Sequence, residues 1–399
     1  MSEETETYQT QYPHGMLPEI SPEEFSHQEF VKSLKIFLAT DVAPGNAMTY
    51  EKEVLPAFRA EHGRDPEDRH EIKAVMEKND YYRFWSSCQR SSQEMMWRAC
   101  QDTVKREAPA LLTRREELQS GPSTLKLNPE LETPAYHTAV DIHCMPGGYH
   151  SEFAPDDVSN GALYDRAVYV YAMGRMGPFN DDMGASTVAW LRSEKPDFKP
   201  RRILDLGCTV GHSTLPYCDA YPEAEVYAID VAAPCLRYAH ARANALGKTV
   251  HFSQQNAEAT DFPDGHFDLI VSHILVHETS KKAFDTIMKE CQRLLAPGGW
   301  VLHAETPPYK DMAIFDQFLM DWDTYYNNEP FWGHSHEIEA RDLAVKHAFD
   351  PDSVLEILAP SAFEQGLNRT EVLQCGDFGG AGVWYVYGMQ KPLAQEAVA

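Results

Sequence analysis

Asp205, Gly207, Gly211 and Asp230 have the types and spacing to hold a polar ligand at the edge of a sheet. They stand in Arg202-Ile-Leu-Asp-Leu-Gly-Cys-Thr-Val-Gly-His-Ser-Thr214 and in Glu225-Val-Tyr-Ala-Ile-Asp230. Ile203, Leu204 and Leu206 make the apolar run of a buried parallel strand. Gly207 lets the backbone turn sharply and approach a ligand, because it carries no Cβ. Gly211 lets the next helix begin close to the strand, with free N–H groups toward the ligand. Asp230 ends a second apolar run about 20 residues further on, where a carboxylate accepts hydrogen bonds from ribose hydroxyls. Turns of this kind also serve NAD, FAD and phosphates. A dinucleotide fold prefers G-x-G-x-x-G, where this chain has Gly207 and Gly211, and the Gly-Lys-Ser/Thr of a P-loop is absent.

Two later segments narrow the reading. Gln255-Asn-Ala-Glu-Ala-Thr-Asp-Phe-Pro-Asp-Gly-His-Phe-Asp-Leu-Ile-Val-Ser272 follows, and then Leu294-Leu-Ala-Pro-Gly-Gly-Trp-Val-Leu-His-Ala-Glu305. In this order the motifs resemble the class I S-adenosylmethionine-dependent methyltransferases, in the small-molecule branch related to ubiquinone/menaquinone methyltransferases. The resemblance covers roughly residues 160 to 310. It implies an α/β fold with a doubly wound, mostly parallel, seven-stranded Rossmann-like sheet, and S-adenosyl-L-methionine as cofactor. Carried over by position, Asp205 binds the methionine amino group, and Gly207 and Gly211 frame the methionine and ribose. Cys208 and Ser213 lie in the same loop. Asp230 holds the ribose and Val231 packs near the adenine. Asn256 and Ala257 contact the adenine edge, and Ser272 lies beside the sulfonium. Thr209 stands where the family usually has glycine. A β-branched residue tolerates positive φ poorly, so the loop is expected to follow a somewhat different path.

Methyl transfer from a sulfonium is an in-line displacement, and the protein mainly supplies proximity and alignment. A base is needed only when the nucleophile must lose a proton. His273 is the leading candidate, with His277 four residues on; the alternative for each is packing at the sheet edge. Glu305, in Glu305-Thr-Pro-Pro-Tyr309, either points into the pocket or sits on an exposed loop. Thr306-Pro-Pro-Tyr309 is only superficially similar to the Asn-Pro-Pro-Tyr motif of amino-group methyltransferases, which belongs after the fourth strand. Phe315 to His336 is dense in aromatics and acids, and Trp322, Tyr325, Tyr326, Phe331 and Trp332 are expected to wall the acceptor or a dimer interface. His143, Cys144 and His150 match no zinc spacing, His334 and His336 form a lone pair, and no metal site is expected.

Elements must place these groups. The alternating pattern reads strand 202–206, helix 211–221, strand 225–230, helix 233–246, strand 249–254, strand 267–272, helix 280–295 and strand 299–304. Arg369-Thr-Glu-Val-Leu-Gln and Val383-Trp-Tyr-Val-Tyr-Gly388 supply closing strands, one antiparallel. Residues 1–20 read as a disordered tail and 21–134 as a helical N-terminal domain, with Leu118–Pro134 a connector. Residues 135–392 form the methyltransferase domain, with a substrate-covering insertion at about 310–350, and 393–399 a tail. The turn Pro146-Gly147-Gly148 is expected to shape the substrate entrance. The Trp85, Met95, Met96 and Trp97 stripe reads as core or dimer contact.

The chain of 399 residues carries a net charge of −26, with basic clusters short and dispersed, so a nucleic-acid substrate is not expected. No apolar run approaches a membrane span. The acidic start Met1-Ser-Glu-Glu-Thr-Glu lacks the pattern of a secretory signal, and eight cysteines without a Cys-x-x-Cys pair fit reduced thiols, so a cytoplasmic location is expected. The reading is a methyltransferase acting on a small organic molecule, with a homodimer through the N-terminal helices. A protein or peptide methyltransferase, or a non-catalytic S-adenosylmethionine-binding protein, stands as the alternative.

Overall fold

β2 (Arg202–Leu206) lies at the centre of the sheet because its apolar run has no solvent face: Ile203, Leu204 and Leu206 are buried. The computed structural model describes residues 11–363 and 382–393. From β2 the chain winds one way through β3 (Glu225–Asp230) and β4 (His251–Gln254), then the other way through β5 (Phe267–His273) and β6 (Leu295–Glu305). β2 pairs in parallel with both β3 and β5. A crevice therefore opens between the carboxyl ends of β2 and β5, where the winding reverses.

The sheet has eight strands in the order β1-β4-β3-β2-β5-β6-β8-β7, one more than the seven expected. The addition is β1 (Thr124–Lys126), which pairs in parallel with β4 from within the segment read as a connector. Three residues are too few for a readable alternation; neighbouring contacts hold them instead. Asn244 Oδ1 accepts from the Ser123 N–H at 2.9 Å and the Ser123 hydroxyl donates to the Lys248 carbonyl at 2.8 Å. β8 (Val383–Gln390) runs antiparallel to β6 and to β7 (Asp350–Pro360). The other expected closing strand, Arg369 to Gln374, lies outside the described residues, and β7 was not anticipated.

Seven of the helices position the site. α1 (Pro22–Phe37) starts at the capping box of Ser21 and Glu24. α2 (Asp80–Glu117) is capped by Asn79. α3 (Ser159–Tyr171), α4 (Asp182–Glu194), α5 (Leu215–Ala220) and α6 (Ala233–Ala245) precede α7 (Lys281–Leu294). Trp85, Met96 and Trp97 of the α2 stripe are core. One apolar cluster runs from Met16, Val31 and Met96 through Ala162 to Ala232 and Tyr238, crossing the boundary drawn at 134.

Residues 11–20, expected as tail, are tied down. Gln11, His14, Tyr238 and His212 all bond to the buried Asp165 of α3, at 3.0, 2.9, 2.8 and 2.9 Å. Burial alone would raise this carboxyl. His212, His14 and Arg242 around it hold it well below the usual range. Residues 1–10 lie outside the described residues.

His303 of β6 is buried between Ser272, whose Oγ is 2.7 Å from Nδ1, and Met288, whose Sδ is 3.2 Å from Nε2. Burial, with a contribution from His273, pushes its pKa down to about 3. Below pH ~6.5 the unfolded imidazole gains a proton that the folded one refuses, so this residue lowers stability as pH falls from ~6.5 toward 3, by ~1.4 kcal/mol per pH unit. His303→Gln is expected to flatten the dependence by that slope between pH 6 and 4 in urea midpoints; parallel wild-type and variant curves would refute it.

Candidate active site

The turn after β2 is built on two glycines in the left-handed region, Gly207 at φ 69 and Gly211 at φ 78. A Cβ on Gly207 would lie 2.7 Å from Leu275 Cδ1. Thr209 between them sits at φ 47, so the chain keeps the turn at the cost of strain rather than abandoning it. The Thr209 N–H donates to Asp230 Oδ2 at 2.9 Å and the Ala232 N–H to Oδ1 at 2.8 Å. Each carboxylate oxygen keeps a further acceptor site for the cleft. Burial pushes the Asp230 carboxyl up, and these two N–H groups pull against it. The Thr209 hydroxyl reaches the Gly207 carbonyl only at 3.5 Å. Relief of a left-handed β-branched residue is worth ~1–2 kcal/mol, partly offset by ~0.5–1 kcal/mol of glycine entropy. Thr209→Gly is therefore expected to stabilise the fold by roughly 0.5–1 kcal/mol in urea unfolding, and a loss of stability would contradict the strain.

Two cavities flank this turn. The first is lined by Gly207, Thr209, Asp230, Val231, Asn256 and Ala257, with Tyr149, Tyr164, His273 and Ile274. The second is lined by Trp97, Tyr171, Met176 and Met183, by Gln93, His143, Asn180, His212 and Ser213, and by the same Tyr149, Tyr164, His273 and Ile274. Those four residues are the partition between them. Ile274 takes φ 56 there, a left-handed β-branched residue at the end of β5.

His273 sits at this junction with both ring nitrogens engaged. Nδ1 lies 3.3 Å from Asp205 Oδ1 and Nε2 lies 3.2 Å from the Tyr217 hydroxyl. With Nδ1–H donated to Asp205, Nε2 accepts from Tyr217. Thr214 Oγ1 donates to the other Asp205 oxygen at 2.5 Å.

Gly207, Asp230, Val231, Asn256 and Ala257 of the expected cofactor set converge on the first cavity. Asp205 lies behind His273 in this arrangement. Cys208 is buried in the turn, its carbonyl accepting from the Gly211 N–H at 2.7 Å. Ser213 lines the second cavity, and Ser272 is wholly buried against His303. His277 and Glu305 line neither cavity. Glu305 is buried, accepting from the Val276 N–H at 2.7 Å, and its other oxygen is 2.7 Å from His277 Nδ1.

The aromatic insertion does not wall either cavity. Trp322 packs edge-on to Trp85 at 5.8 Å and donates to Ser86 Oγ at 2.8 Å, and Trp332 is fully buried. The Trp332 N–H donates to the Met320 carbonyl at 2.8 Å, and indole rings whose N–H is partnered gain more from such burial than from lining a solvent-reached pocket. The walls come from Trp97, Tyr149, Tyr164 and Tyr171, which the sequence reading missed as site residues. Tyr149 had a signal, the adjoining Gly147-Gly148 turn. The others were indistinguishable from core stripe.

The donors fit a nucleoside ligand: Asp230 keeps free acceptor sites beside a glycine turn, and Asn256 and Val231 stand across the same cleft. Residues 203–299 match the family model described as a methyltransferase domain. The doubly wound order and the antiparallel last pairing are the architecture expected of a class I S-adenosylmethionine-dependent methyltransferase domain. The chain is 38% identical over 109 residues to the demethylmenaquinone methyltransferase of Thermus thermophilus, covering 27% of this chain and 49% of that one. It is 32% identical over 117 residues to the malonyl-[acyl-carrier protein] O-methyltransferase of Halorhodospira halophila, covering 29% and 39%. A phosphoethanolamine N-methyltransferase 2 structure from Haemonchus contortus aligns with TM-score 0.41 at 14% identity, covering 61% of each chain. The chain thus spans half or less of these two curated relatives. None of the described helices is long and apolar enough to cross a membrane.

Proposed function

We propose that this protein transfers a methyl group from S-adenosylmethionine to a small organic acceptor held in the second cavity. The observation that carries the reading is the shared partition: two cavities meet at Tyr149, Tyr164, His273 and Ile274. One has the nucleoside-binding groups; the other is an aromatic chamber with a few polar groups, as a small-molecule site requires. Curated relatives named as a demethylmenaquinone methyltransferase and an ajmaline N-methyltransferase support a small acceptor.

When bound, the cofactor supplies a methyl group already activated by the sulfonium charge. Asp230 would accept from the ribose hydroxyls, and Val231, Asn256 and Ala257 would hold the adenine. Trp97, Tyr171, Met176 and Met183 would exclude water from the acceptor and orient it across the partition, which supplies most of what such a displacement needs. Where the acceptor must lose a proton, His273 would take it at Nε2 once the acceptor displaces the Tyr217 hydroxyl there, with Asp205 fixing the tautomer.

Incubation with methyl-labelled S-adenosylmethionine and fractionated metabolites tests this. A labelled low-mass product is expected. Label only in macromolecules would replace the reading with a protein methyltransferase, and tight cofactor binding without transfer would leave a binding protein.

A further inference from the structure

We propose that His143, His277 and Glu329 form a binding site for a divalent transition-metal ion beside the acceptor cavity. The three come from distant parts of the chain. His143 precedes the Gly147-Gly148 turn, His277 follows β5, and Glu329 belongs to the insertion after β6. One ligand atom from each lies within 4.8 Å of the others.

The partnering of these side chains points to a missing cation. Nε2 of His277 and Oε2 of Glu329 are buried and have no hydrogen-bond partner, although they face each other at 3.9 Å. His277 is 0% and Glu329 1% exposed. Orphaned buried polar atoms of this kind are costly, and each needs an explanation. Two ligands on ~2.1 Å bonds around a tetrahedral ion sit ~3.4 Å apart, close to the gap found.

The surroundings have the form that metal-binding histidines take. His277 directs its other nitrogen, Nδ1, to Glu305 at 2.7 Å. His143 has Nε2 3.3 Å from Glu278 and Nδ1 2.9 Å from Glu329. A carboxylate behind each imidazole fixes its tautomer and raises its basicity as a ligand. Asn327 donates to Glu329 Oε1 at 2.6 Å and to Asp323 at 2.9 Å, holding the carboxylate in place. Glu278, Glu305, Asp323 and Glu329 thus gather four carboxylates around two imidazoles, a charge balance that a divalent ion improves.

The backbone is strained to present the first ligand. His143 and Cys144 both take left-handed φ, at 53 and 60, with no glycine between them. His143 also lines the acceptor cavity, which gives the ion a path in and leaves its open positions toward that chamber. Two imidazoles and one carboxylate suit zinc, iron(II), cobalt or manganese rather than calcium. An acceptor oxygen in the cavity would complete the coordination. That last extension rests on the methyltransferase reading, whereas metal binding itself does not.

The full-length protein, stripped with a chelator and dialysed against zinc or cobalt(II), tests the site without cofactor or acceptor. About one equivalent per chain is expected by elemental mass spectrometry, with visible cobalt d–d bands, and both are expected to fall at least tenfold in Glu329→Gln and His277→Gln. X-ray absorption of the zinc-loaded wild type should show two imidazoles and oxygen, with no sulfur. This holds even if the variants fail to fold. Wild-type protein that takes up less than about a tenth of an equivalent would overturn the site, leaving a metal-free ion-pair network. So would sulfur scattering, or metal retained in both folded variants, because the ion would then lie elsewhere. Metal uptake without methyl transfer would leave this site standing and remove only the functional reading above.

Discussion

Asp230→Ala is expected to weaken S-adenosylmethionine binding by about 10²–10⁴-fold in calorimetric titration. The carboxylate ends β3 in the first cavity, and each ribose hydroxyl it accepts from makes a charge-assisted hydrogen bond worth ~1.5–3 kcal/mol. Two such bonds, at ~1.4 kcal/mol per tenfold, give the stated range. The loss has a second part. Asp230 also accepts from the Thr209 and Ala232 N–H groups, so removal frees the loop that forms the rest of the cavity. Asp230→Asn keeps one acceptor oxygen and should fall between wild type and alanine. An alanine variant that binds within threefold of wild type would place the ribose elsewhere.

His273→Ala is expected to lower kcat by about 10²–10³-fold while KM moves only a few-fold, the split expected of a proton acceptor acting in the transition state. Its ring is the one titratable group that lines both cavities through an imidazole. Asp205 and Tyr217 hold its two nitrogens, so its orientation is set before any ligand arrives. Tyr217→Phe frees Nε2 without deleting the ring and is expected to cost less, about tenfold or under, within the range of one neutral hydrogen bond. If kcat survives in His273→Ala, the acceptor attacks without a protein base and alignment alone carries the reaction. The acceptor found by methyl labelling supplies the assay.

Much of the core was legible locally. β2, β3, β5 and β6 read out because a buried parallel strand has to be apolar along its length, and Gly207 and Gly211 because their backbone angles need glycine. Gly207, Asp230, Val231, Asn256 and Ala257 were placed in one cleft by strand ends alone, since parallel strands bring their carboxyl ends to one edge. Ser213 and Ser272 were near the motif in sequence but face elsewhere, because a side chain's direction depends on the turn and the pleat. β1 escaped notice because three residues carry no period, and residues 11–20 because their order comes from Asp165, over 150 residues distant in sequence.

The second cavity shows the limit most clearly. Trp97, Tyr149 and Tyr164 look in sequence like any buried aromatics, and Trp322 and Trp332 look like a lid. Composition cannot say which ring meets another ring and which meets a void. The same holds for Glu305, whose Glu-Thr-Pro-Pro-Tyr setting left pocket and exposed loop equally open, and which is sealed against His277. Strand order, the glycine turn and the acid that ends β3 follow from residue type and short spacing, because backbone geometry and side-chain alternation act over a few residues. The partition between two cavities, and the meeting of His143, His277 and Glu329, were decided by tertiary packing. They join segments up to about 190 residues apart, whose proximity no local pattern encodes.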